Sequence, residues 1–248
     1  MRSHFVVTRM ARLTQLRVHA SNAAKDRGIV PPGLRFRETT HHVTEMFVSL
    51  LGRRYSLNGS SLVQITCGPR GSDPEFYNVL GSTGVFVELF DFGAYRTMSD
   101  AEREETVLAL VVDQLLRIAE REKVDPEPIR TCAAAMRHHG FVLEQEFTKL
   151  GRSLPHRRGR VRVYRQLGAS FSEQWVARLT NHAGGLAHEI PMRQGPLDLR
   201  GYFSRSALHE DDFVVTSSLG ETTFSVPQAG LLAENPSAVP QPFRMIPL

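Results

Sequence analysis

Cys67, at the end of an apolar run and directly before Gly68, is the strongest nucleophile candidate in this chain. The loop that follows, Cys67-Gly68-Pro69-Arg70-Gly71-Ser72-Asp73, has the glycines of a phosphate cradle, with Arg70 as the anion partner. The cysteine-phosphatase spacing needs Arg six positions after Cys, where this chain has Asp73. His41 and Glu45 stand at i, i+4, a spacing that lets a general base meet its orienter or simply makes a surface pair. Three segments carry half of the zinc-protease pattern, which sets two His one helical turn apart around a Glu. His188-Glu189-Ile190-Pro191-Met192 and His42-Val43-Thr44-Glu45-Met46 end in Met, and His209-Glu210-Asp211-Asp212-Phe213 ends in Phe. A set lacking one imidazole binds zinc weakly, so neither metal nor cofactor is expected. No P-loop lysine, dinucleotide fingerprint or framed hydrolase Ser is present.

The elements that must position these groups are clearest between Val85 and Gly140. Val85 to Phe92 has the β-branched and aromatic content of a strand. Gly93 to Met98 reads as a loop, and Ser99-Asp100-Ala101-Glu102 as a capping box opening a helix through Glu122. Leu108, Val111, Val112, Leu115 and Ala119 form its apolar stripe. A second helix is expected from Asp125-Pro126 to His139, with Ile129, Cys132, Ala133 and Met136 inward and Gly140 as its stop. The short connection makes the two an antiparallel pair. Upstream, Thr40 to Leu51 reads as a helix and Leu62 to Cys67 as a strand. Downstream the period switches to two around Phe141–Leu143, Val161–Arg165, Phe171–Thr180, Leu186–Met192, Phe213–Thr216 and Thr222–Val226.

These elements predict an α+β fold, a mostly antiparallel sheet with the helical pair packed on one face. The expected organisation is a basic segment over 1–37, a single domain over 38–228 and a Pro-rich tail over 229–248. The 248 residues are 41% apolar, enough for a sizeable core. No apolar run approaches a membrane span. Two distant cysteines, Cys67 and Cys132, give no disulfide framework and suit a reducing cytoplasm. The acid-free stretch from Met1 to Lys25 suits a targeting presequence, an extension or a first folded element, and the last is preferred.

Charge is segregated along the chain. Residues 1–37 carry eight basic side chains against Asp26 alone, 88–127 carry eleven acids against five basic residues, and 149–165 carry seven basic residues and no acid. The acidic helix offers Glu102, Glu105, Asp113 and Glu120 to a basic protein partner. The basic stretch offers Arg157, Arg158, Arg160, Arg162 and Arg165, with Tyr164, to a phosphate backbone.

The order helix, strand, strand ending in Phe90-Asp91-Phe92 with Tyr95, acidic helix capped at Ser99, Pro-started helix and strand meander resembles bacterial immunity-type proteins of polymorphic toxin systems. The resemblance spans residues 40–192 by pattern. It implies a non-catalytic cytoplasmic inhibitor that neutralises a toxin by binding it. The alternatives are a nucleic-acid-associated protein acting through 149–165, and an enzyme using Cys67 or His41.

Overall fold

The computed structural model describes residues 11–52, 55–155, 159–181, 185–209 and 212–227. The chain divides into two compact units, Met1–Val142 and Leu143–Leu248, a division that falls inside the span expected as one domain. The fold is α+β. Two of the strand pairings among the described residues are parallel, β1–β2 and β2–β4, and the others are antiparallel.

In the N-terminal unit the strands are β1 (Gln15–Ala20), β2 (Leu62–Cys67), β3 (Phe76–Val79) and β4 (Ser82–Val87), arranged β1-β2-β4-β3. Its helices are α1 (Asn22–Asp26), α2 (Phe36–Leu51), α3 (Phe92–Thr97), α4 (Asp100–Glu122) and α5 (Glu127–His138). Pleating sends alternate residues to opposite faces. Leu16, Val18 and Ala20 of β1 and Val63, Ile65 and Cys67 of β2 are buried on the face that meets α2. The Thr40 hydroxyl of α2 donates to the Val18 carbonyl of β1 at 3.1 Å, fixing helix to strand.

α4 and α5 form the expected antiparallel pair, and α2 packs against both. Leu108, Val111, Leu115, Ile129 and Met136 are fully buried. The Ser99–Glu102 capping box is present in both directions. Arg137, near the end of α5, makes a two-pronged bond to Glu105, near the start of α4, which only antiparallel helices allow. His42 of α2 and Glu104 of α4 meet at 2.9 Å in the interior.

The strand expected to run to Phe92 stops at Val87. Its parallel partner β2 ends at Cys67, in register with Val87, and the Gly68 N–H closes the ladder on the Val87 carbonyl. Asp91 instead caps α3, its side chain accepting from the Ala94 N–H at 2.9 Å, so the expected loop is a helical turn. Phe90 and Phe92 pack with Phe36 and Tyr95 as an aromatic cluster. Asp125 accepts from the Glu127 N–H at 2.9 Å, and α5 begins at Glu127, one residue after the Pro126 expected as its first helical position.

The C-terminal unit is an antiparallel sandwich. β5 (Leu143–Glu146), β6 (Arg152–Ser153), β7 (Arg160–Gly168), β8 (Ser172–Thr180) and β9 (Leu186–Gly195) form one sheet; β10 (Arg205–His209), β11 (Asp212–Thr216) and β12 (Thr222–Pro227) form the other. Val161, Val163, Trp175, Ala177, Phe213, Val215, Phe224 and Val226, from both sheets, share one core. Within it, the fully buried Glu173 accepts from Arg165 at 2.5 Å, from the Trp175 indole at 2.7 Å and from the Leu199 N–H at 2.9 Å. The C-terminal tail lies outside the described residues.

Candidate functional site: a cationic groove on the open sheet face

The face of the N-terminal sheet opposite α2 carries polar side chains. Arg17 of β1, Gln64 of β2, Gly84 of β4 and Tyr77 of β3 are successive register partners, so they form one row straight across the sheet. His19, Thr66 and Phe86 form the next row toward the carboxyl ends of the parallel strands. These rows floor a groove of about 560 Å³, within the usual range for small-ligand sites. Open parallel sheets place their ligands beyond the carboxyl ends of the strands, because loops and helix starts converge there.

That convergence is visible at β1. Ser21 follows β1 and caps α1 through the Ala24 N–H at 3.0 Å. Lys25 of α1 and Arg37, in the first turn of α2, then reach the same groove as Arg17. All three cations are exposed, and none has an ion-pair partner among the described residues; Arg17 donates to the neutral Gln15 amide. Asp73 is the carboxylate among the lining residues. His19 sits at the centre, its Nε2 3.2 Å from the Thr66 hydroxyl. Burial lowers the His19 pKa, and Lys25, Arg37 and Arg17 push it the same way.

Two glycines shape this end of the sheet. Gly68 (φ +98°) lies so close to Ala24 and Ser21 that a side chain there would push α1 off the end of β2. A Cβ on Gly84 would overlap the Tyr77 ring, so the missing side chain is what lets the ring cross onto β4.

The residues singled out in the sequence are placed elsewhere. Cys67 faces the buried side, and burial pushes its thiol up to about 12; Cys132 is likewise buried and pushed up to about 12. Neither is an activated nucleophile. Arg70 pairs with Glu88 at 2.8 Å instead of turning into a cradle. His41 and Glu45 are both buried on α2 rather than on the surface. His188 and His209 lie on β9 and β10, and among the described residues no three His, Cys, Asp or Glu groups converge as a metal set.

Glu102, Glu105, Asp113 and Glu120 are all exposed along one side of α4. Two are engaged: Glu102 by the capping box, which lowers its pKa through the Ser99 side-chain and backbone bonds, and Glu105 by Arg137. In the basic stretch, Arg157 and Arg158 lie outside the described residues. Arg160 is exposed, Arg162 faces Glu146 at 3.5 Å, and Arg178 stacks on Tyr164 at 4.5 Å. Arg165 is 2% exposed and bound to Glu173, a core ion pair rather than a phosphate contact.

The groove residues Arg17, His19, Lys25, Arg37 and Tyr77 were not singled out by sequence reasoning, although the alternation Gln15-Leu16-Arg17-Val18-His19-Ala20 marks a half-buried strand with two cationic types on its open side. Among the described residues no helix is long and apolar enough to cross a membrane. No protein-family model, curated protein or solved structure matches this chain.

Proposed function

We propose that this chain is a non-catalytic binding protein whose N-terminal unit holds an anionic group in the groove over β1 and β2. The observation that carries this reading is the convergence of Arg17, Lys25 and Arg37 on His19 without ion-pair partners among the described residues. Cations that outnumber the carboxylates of a concave polar site attract and hold anions, and arginine does so with directed bonds. The suppressed acidity of both thiols favours binding over nucleophilic chemistry. Free buried cysteines also fit a cytoplasmic location.

A second reading keeps the exposed side of α4 as a docking face for a basic protein partner, as an immunity-like inhibitor would have. Its support is that the four carboxylates share one side of a helix. It ranks second because Glu102 and Glu105 already have internal partners.

Calorimetric titration of the full chain with inorganic pyrophosphate tests the first reading. Saturable binding at one site per chain is expected, weakened at least about tenfold in Arg17→Gln/Arg37→Gln, since a hydrogen bond to a charged group is worth about 1.5–3 kcal/mol. Reversing Glu105, Asp113 and Glu120 to Lys should change it little. Absence of binding, or equal binding by the arginine variant, would sink the reading.

A further inference from the structure

The groove has two chemically different ends. Above β1 and past its carboxyl end stand Arg17, Lys25 and Arg37. Above β4 lies the ring of Tyr77. A Cβ on Gly84 would meet Cε1 and Cζ of that ring at almost equal range, with Oη farther out. A ring standing on this edge would bring Oη nearest, so the observed order belongs to a ring lying face-down on the strand. Its other face therefore points away from the sheet, and Tyr77 is only half-buried.

Because Arg17, Gln64, Gly84 and Tyr77 lie in one register row, the cationic end and the aromatic end are aligned. Two strand spacings separate them, about 10 Å of backbone, with long side chains reaching inward from both sides. Gln64 stands between, on the same face, with an amide that can both donate and accept.

We propose that the groove takes a nucleotide, its phosphates held by Arg17, Lys25 and Arg37 and its base laid on the outer face of Tyr77. This rests on the anion-binding reading above. Phosphate cations beside an aromatic platform are what recognition of nucleotides in single strands uses, and stacking of this kind tolerates any base. Gln64 faces the sugar. The nucleotide is either free or part of a single strand, since both present the same groups to this surface.

The test compares ADP, inorganic pyrophosphate and a short single-stranded deoxythymidine oligomer on the full chain by calorimetry, in magnesium-free buffer. ADP is expected to bind about 5- to 150-fold tighter than pyrophosphate, the factor that one stacked base contributes. That ratio should fall toward one in Tyr77→Ala and persist in Tyr77→Phe, which keeps the ring on Gly84. An oligomer that outbinds ADP supports the proposal with a strand as the source; the reverse order supports it with a free nucleotide. Equal ADP and pyrophosphate affinities, both weakened in Arg17→Gln/Arg37→Gln, would overturn the nucleotide and leave the anion groove standing. No binding of any of the three would remove both. Should Tyr77→Ala fail to fold, the ADP-to-pyrophosphate ratio of the unaltered protein decides the matter.

Discussion

Replacing Glu173 by Ala should destabilise the C-terminal unit more than any change on its surface. The carboxylate is fully buried and serves three donors: Arg165, the Trp175 indole and the Leu199 N–H. Without it, a guanidinium that is 2% exposed faces Asp198 at 3.9 Å. Breaking a buried ion pair from one side costs about 3–5 kcal/mol, because the surviving charge stays desolvated. With a urea slope of about 1–3 kcal/mol/M, the unfolding midpoint should drop by at least about 1 M. Trp175 is the single tryptophan of the chain and sits in this core, so its fluorescence reports this transition directly. Glu173→Gln keeps an acceptor for the indole and should cost less than Ala. The double change Arg165→Met/Glu173→Leu removes both charges and should regain most of the loss. A Glu173→Ala midpoint matching that of the parent would refute the reasoning, since it would mean that Asp198 or water compensates the guanidinium.

Leu115→Ala, at a fully buried position of α4, should cost the N-terminal unit about 2–5 kcal/mol in urea unfolding followed by circular dichroism; a change near zero would put this helix face in solvent. Both thiols, pushed up to about 12, should be inert to a thiol reagent at neutral pH in the native protein and react fully in denaturant; one fast equivalent in the native state would contradict their burial. Sulfate affinity should rise as pH falls through the range of His19. The free imidazole titrates below its usual value through burial and then Lys25, Arg37 and Arg17. A bound anion favours imidazolium and raises that pKa, so the protonated groove binds tighter. Sulfate itself does not titrate there, and His19→Gln should flatten the dependence; an unchanged slope in that variant would place the titrating group elsewhere.

Local signals carried the helices well. The Ser99 capping box, the α4 stripe and the glycine after α5 are all decided by neighbours within a few residues, and each appears as expected. The strand at Val85 ends at Val87, short of what its own residues suggest, because its end is set by a partner, Cys67, far away in sequence. Asp91 held the corrective signal, a capping residue one position before Phe92-Gly93-Ala94. The groove was illegible for the same reason as the strand end. Arg17 and Tyr77 are sixty residues apart, and only the register across β2 and β4 brings them into one row. Charge counting found the basic N-terminal stretch but could not separate Arg17, Lys25 and Arg37, which converge, from basic residues that do not. It also credited Arg165 to the surface, where alternation alone would have sent it inward between Val163 and Leu167.

The most direct test of the anion groove is histidine-selective NMR of the full chain with inorganic pyrophosphate. Ten histidines are present, and His19→Gln identifies the ring that matters. His19 should shift saturably on titration, and its pKa should rise from its lowered value in the free protein, while His138 and His139 stay in place. A His19 resonance that does not move while pyrophosphate is bound, or the absence of any binding, would contradict the account.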